Sequence, residues 1–138
     1  MKARVKLVEG ITSLAESGSG HAVVMDASPE VGGRDMGARP MEMVLMGAGG
    51  CSAIDVVHIL RKARQDLVDC VVEVEGERAA EDPKVFTRIH MHYVVTGGGL
   101  NPAQVERAIR LSKEKYCSAT IMLAKTAEVT ADFEIREA

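Results

Sequence analysis

From Met43 to Leu60 the sequence is apolar on nearly every face a helix would present. A helix of that kind is buried centrally or crosses a membrane. Glu42, Asp55 and His58 interrupt it, so no unbroken apolar run of about 18 residues remains. Burial in a protein core, and specifically the core of a dimer, is the expectation. Pro40 suits the first helical position, where its missing N–H has no partner to lose. The pattern predicts a helix over 41–65 that closes in the solvated stretch Arg61-Lys62-Ala63-Arg64-Gln65-Asp66.

The remaining segments place that helix in an α+β chain. Residues 2–8 alternate, with Ala3, Val5 and Leu7 on one side and Lys2, Arg4 and Lys6 on the other, as in a half-buried strand. Further strands are predicted near 11–16 and 21–26, divided by Ser17-Gly18-Ser19-Gly20, in an antiparallel meander. Residues 27–40 form the longest loop. A hairpin is predicted over 70–78 and 84–96, with Cys70, Val72 and Val74 inward on its first strand. Val85, Thr87, Ile89, Met91, Tyr93 and Val95 share one face of its second. Asn101-Pro102 reads as an N-cap and first residue of a helix over 102–114. A short helical piece at 117–124 and a strand at 126–136 close the chain.

With 138 residues, one domain spanning 1–138 is expected. Only Phe86, Phe133, Tyr93 and Tyr116 are aromatic, so aliphatic residues and eight methionines fill the core. A net charge of −3 with mixed signs offers no nucleic-acid or membrane surface. The first residues lack the apolar core of a signal peptide, and three scattered cysteines do not form a disulfide framework. The expected address is the cytoplasm, where thiols stay reduced.

Cys51 follows Gly47-Ala48-Gly49-Gly50, and each glycine costs a helix about 1 kcal/mol relative to alanine. Their small size admits a close approach of another backbone or a substrate to the thiol. At about 100° per residue, Asp55 and His58 lie within about 40° and 20° of Cys51. The histidine could activate a thiol on that face, whereas the carboxylate's charge opposes a second anion beside it. The bland alternative is a buried cysteine acting as a small hydrophobe. Cys117 stands at the head of the 117–124 helix with Lys113 and Lys115 nearby, and both features favour a thiolate. Cys51 and Cys117 suit a peroxidatic and resolving pair, while Cys70 reads as structural filler. His90 and His92 share a strand face at a metal-chelating spacing. The simpler account sets Arg88, His90 and His92 across the ladder from Glu77, Glu75 and Glu73. Gly32-Gly33-Arg34-Asp35 lacks the ending of a phosphate loop. Arg34 or Arg39 could nonetheless face a thiolate from this segment.

The stretch Pro40-Met41-Glu42-Met43-Val44-Leu45-Met46-Gly47-Ala48-Gly49-Gly50-Cys51-Ser52, followed by Ile54-Asp55-Val56-Val57, resembles the central cysteine helix of the OsmC/Ohr family. Lys115-Tyr116-Cys117-Ser118 is similar to the second-cysteine segment of its OsmC-like branch, and the order of elements agrees along the chain. The resemblance implies an OsmC-like fold with antiparallel sheets around two long helices, the cysteine helix buried, in an intertwined homodimer. It implies that Cys51 attacks an organic hydroperoxide and becomes a sulfenic acid, that Cys117 condenses with it to a disulfide, and that an external dithiol restores both. No metal and no organic cofactor is implied. In Ohr enzymes a glutamate ten residues before the reactive cysteine holds an arginine beside the thiol. Here Met41 has that place and Glu42 follows it. The family's arginine segment corresponds to Ile11–His21, which contains none, so Arg39 or Arg34 is the candidate. The alternative function is a non-enzymatic dimer that binds a small apolar ligand or senses oxidants.

Overall fold

Gly10, at a φ of 59°, reverses the chain between its first two strands, β1 (Ala3–Glu9) and β2 (Thr12–Ser17). A second turn leads to β3 (Ala22–Met25), and the three form an antiparallel sheet in the order β1-β2-β3. The computed structural model describes residues 1–138, which fall into two units, Met1–Val44 and Leu45–Ala138. In the first unit the predicted meander is present, but β1 is exposed along its whole length, Val5 and Leu7 included. Its alternation marks a face that the single chain leaves uncovered, so β1 is not the half-buried strand expected.

The loop after β3 is organised by a buried carboxylate. Asp26 accepts the Thr12 hydroxyl at 2.9 Å and the backbone N–H groups of Ala27, Arg34 and Met36. The Ala27 bond is foremost in holding the Asp26 carboxyl below its ordinary value, against burial. One carboxylate thereby closes the loop over residues 26–36.

Helix α1 (Pro40–Lys62) begins as the sequence requires. Glu42 accepts the Arg39 N–H at 2.8 Å, the returning half of a capping box. The helix stops at Lys62, three residues short of the predicted end. Arg64 turns left-handed at a φ of 58°, and the bonds Gln65 N–H to Leu60 and Arg64 N–H to Arg61 close a Schellman motif. That early stop lets the next strand start at Asp66 rather than at residue 70. Within the chain α1 buries only the stripe Ala48, Gly49, Ser52, Val56 and Leu60. Val44, Met46 and Ile54 are exposed, so the single chain does not bury the cysteine helix. By length and composition alone α1 could cross a membrane.

In the second unit β4 (Asp66–Arg78) and β5 (Phe86–Gly98) form the expected hairpin. Its register sets Glu73, Glu75 and Glu77 opposite His92, His90 and Arg88, as the charge pattern requires. A bulge where Arg78 pairs with Phe86 leaves Thr87 without an opposite residue. Phe86 is therefore buried in place of Val85 and Thr87, while Ile89, Met91, Tyr93 and Val95 face inward as expected. Asn101 caps α2 (Pro102–Leu111) by accepting the Ala103 N–H. The helix predicted to run to 114 widens at Ser112–Tyr116 into a π turn, in which the Cys117 N–H reaches the Ser112 carbonyl. Short α3 (Ser118–Leu123) follows, then β6 (Glu128–Glu137). The sheet order is β4-β5-β6, and β6 runs parallel to β5. The helical crossover from β5 to β6 makes the sheet mixed rather than all antiparallel. The second helix continues through the π turn to Tyr116, and the extended backbone of Cys117 separates it from α3.

Candidate functional site

Two turns of α1 and the π turn bring three reactive side chains together. The sulfurs of Cys51 and Cys117 and a carboxylate oxygen of Asp55 all lie within 4.8 Å of one another. Sixty-six positions separate the cysteines in sequence, and their meeting depends on the wide turn that ends α2. Cys51 is half-buried and all three cysteines are free.

Cys117 is completely buried and occupies the N-cap of α3. Its sulfur accepts the Thr120 N–H at 3.4 Å, lies 2.8 Å from the Thr120 hydroxyl and is 3.9 Å from the Ala48 carbonyl oxygen. Burial pushes the Cys117 thiol up from its ordinary 9.0, and the adjoining Cys51 adds to the rise, while the Thr120 bonds oppose it. The thiolate expected at this helix start is thus disfavoured, because desolvation outweighs the helix terminus. Lys115 lies instead over the Tyr116 ring, 5.2 Å from its centroid.

A buried chain of hydroxyls ends on Asp55. Ser112 Oγ donates to Asp55 Oδ2 at 3.0 Å, Ser52 Oγ is 2.8 Å from Ser112 Oγ, and Tyr93 Oη is 2.6 Å from Ser52 Oγ. Each hydroxyl has one proton. Because Ser112 spends its own on the carboxylate, it accepts from Ser52, which in turn accepts from Tyr93. Met91 sulfur, 3.8 Å from the phenol oxygen, is the weaker acceptor. Every O–H therefore points toward Asp55. Burial drives the Tyr93 phenol up to about 12, so it remains a donor. The alternation of the second hairpin strand places Tyr93 inward but does not foretell the use of its hydroxyl, nor that of Ser112. A serine beside Cys51 in an otherwise apolar helix was the available signal.

Asp55 also borders an open groove of about 490 Å³. His58, Lys62, Arg107, Leu111 and Tyr116 line it with Asp55, so its walls mix charged, polar and apolar side chains. His58 is exposed on this groove. Glu42, nine residues before Cys51 on an unbroken helix, projects from the opposite side. The partners of the remaining candidates lie in their own unit. Arg39 Nη1 is 3.3 Å from Glu42 Oε1, and Arg34 reaches Glu9 at 3.2 Å and Thr12 at 3.1 Å. The Arg39 N–H is the main cause that holds the Glu42 carboxyl below its ordinary value.

Cys70 pairs with Val95 in the sheet, and burial, then Asp69, pushes its thiol up, which fits structural filler. His90 and His92 are engaged by β6. His92 Nδ1 lies 2.7 Å and His90 Nε2 3.0 Å from Asp132 Oδ1, and Thr130 bonds His90 at 2.7 Å.

A family model described as OsmC-like protein matches residues 32–132. Protein YhfA of Escherichia coli strain K12 is 54% identical over 135 residues, covering 98% of each chain. The crystal structure of a hypothetical protein from Aquifex aeolicus has a TM-score of 0.87 at 30% identity, covering 99% of this chain and 96% of that one. A Legionella pneumophila structure titled as an organic hydroperoxide resistance protein has a TM-score of 0.74 at 18% identity, covering 96% and 95%. At that identity it bears on the fold alone.

Proposed function

This chain belongs to the OsmC-like protein family, and from that premise we propose that it reduces organic hydroperoxides by cycling Cys51 and Cys117. The observation that carries the proposal is the meeting of the two sulfurs within 4.8 Å. Membership of the family supports a redox or peroxide-stress role in general; the paired thiols support this particular reaction.

Exposure divides the work between them. Half-buried Cys51 meets peroxide, while Cys117, fully buried and with its pKa raised, stays a protonated thiol in reserve. The Cys51 thiolate attacks one peroxide oxygen, the O–O bond breaks, and the alkoxide leaves as alcohol after taking a proton. Cys117 then attacks the sulfenic sulfur, and water departs as the disulfide forms. Asp55, next to both sulfurs, takes the Cys117 proton in this second step and passes it to the departing hydroxyl, which leaves as that water. An external dithiol supplies two electrons and two protons to reset the pair. A thiolate-stabilising role for Arg39, paired with Glu42, or for Arg34 rests on the resemblance to relatives.

Family members are generally homodimers. We assign the exposed face of α1, with Val44, Met46 and Ile54, to a second copy of the chain, and place the protein in the reducing cytoplasm. The test is consumption of cumene hydroperoxide by the reduced protein with a dithiol present. Wild type is expected to turn over and Cys51→Ser to lose turnover. Equal rates for the two would end the proposal.

A further inference from the structure

We propose that the reduced Cys51–Asp55–Cys117 cluster is also a binding site for a zinc ion, with two thiolates and one carboxylate as ligands. This inference stands on the three atoms themselves and does not depend on peroxide chemistry. In a tetrahedral zinc site, sulfurs about 2.3 Å from the metal are about 3.8 Å apart, and a sulfur and a carboxylate oxygen about 3.5 Å apart. The three ligand atoms are already within 4.8 Å of one another. Closing any pair to zinc geometry takes a shift of about 1 Å, within reach of side-chain rotation. Two soft sulfurs and one anionic oxygen suit zinc rather than magnesium or calcium, which prefer all-oxygen shells.

The surroundings are also those of a metal centre. Ser112 holds one Asp55 oxygen at 3.0 Å and is fixed in turn by Ser52 and Tyr93. That leaves the other oxygen for the metal, its carboxylate oriented by an outer shell of hydrogen bonds. Three protein ligands leave a fourth position for water or an exogenous thiol, reached beside half-buried Cys51. The ion displaces the protons of both thiols and offsets the crowding of their charges with that of Asp55. Zinc binding and the Cys51–Cys117 disulfide exclude each other, since both use the same sulfurs. Zinc would therefore protect the reduced pair and stop its cycling until a chelator removes it.

The experiment is a titration of the reduced, full-length protein with zinc chloride by calorimetry, without peroxide, and with cobalt(II) as a spectroscopic substitute. One zinc per chain is expected, with cobalt giving a thiolate charge-transfer band and the intense visible bands of a tetrahedral ion. Cys51→Ser should lower affinity at least about 100-fold and Asp55→Asn at least about tenfold, while Cys70→Ser matches wild type. The oxidised disulfide form should not bind. Unfolding curves confirm that each variant is folded, and Cys51→Ser, at the half-exposed position, keeps the test valid if Cys117→Ser unfolds the core. Wild-type affinity in Cys51→Ser, or binding that disappears on replacing His92, would overturn the assignment. Failure of peroxide turnover with zinc binding intact would sink the proposed function and leave this inference standing.

Discussion

Removal of the Ser52 hydroxyl tests the direction of the buried hydrogen-bond chain. In Ser52→Ala the Tyr93 O–H, with no exposure, loses its acceptor at 2.6 Å and keeps only the Met91 sulfur at 3.8 Å. An orphaned buried hydroxyl costs about 1–3 kcal/mol, and the lost Ser52–Ser112 bond about 1 more. A total of about 3 kcal/mol is expected. In Tyr93→Phe, Ser52 still donates to Ser112 and loses only an incoming bond, at about 1 kcal/mol. The double variant orphans no donor and should cost about 2 kcal/mol, so the two changes couple by about 2 kcal/mol. Urea unfolding of the four proteins, at unchanged m, measures this cycle. If Tyr93→Phe costs more than Ser52→Ala, the protons run the other way. Additive costs would mean that the three hydroxyls do not act as a chain.

On the outer sheet face, the hydrogen bond to Asp132 raises the His92 pKa above 6.5, and His92 foremost lowers that of Asp132 below 3.8. The His92 contribution to stability is therefore full below pH 6.5 and fades as pH rises through its folded value. The Asp132 contribution is present above pH 3.8 and fades as pH falls through its folded value. In Asp132→Asn the His92 titration followed by NMR should move down, and an unmoved midpoint would refute the pairing. Arg64 holds a left-handed φ where glycine is usual, so Arg64→Gly should stabilise the protein by about 1 kcal/mol in thermal or urea unfolding. Labelling of the native protein with a thiol reagent should modify Cys51 first and Cys117 last, as mass spectrometry of timed digests would read; early Cys117 modification would contradict its burial.

Much of the fold was legible because the pattern was local. Pro40 and Asn101-Pro102 marked helix starts, and the glutamates of β4 facing Arg88, His90 and His92 fixed the hairpin register. What was not legible depended on distant partners. Nothing near Asp132 foretells that β6 lies parallel to β5 and brings that carboxylate to two histidines. Arg64 gave no sign of a helix stop because it adopts a backbone usually left to glycine. Asp26 sits in an unremarkable Met25-Asp26-Ala27, yet organises the loop through donors up to 14 residues away. At the site, composition exposed the cysteines but not their meeting, which depends on a π turn without a sequence signature. It was the same turn that reversed the expectation for Cys117, by burying it.

Cys117 has a second employment as the cap of α3, where its sulfur receives the Thr120 N–H. A disulfide must draw that sulfur to about 2.05 Å from its partner, away from the amide it holds. Were the proposed Cys51–Cys117 disulfide to form, it would loosen the first turn of the six-residue helix that carries exposed Met122. The formation of one bond would then be transcribed into the backbone order of α3.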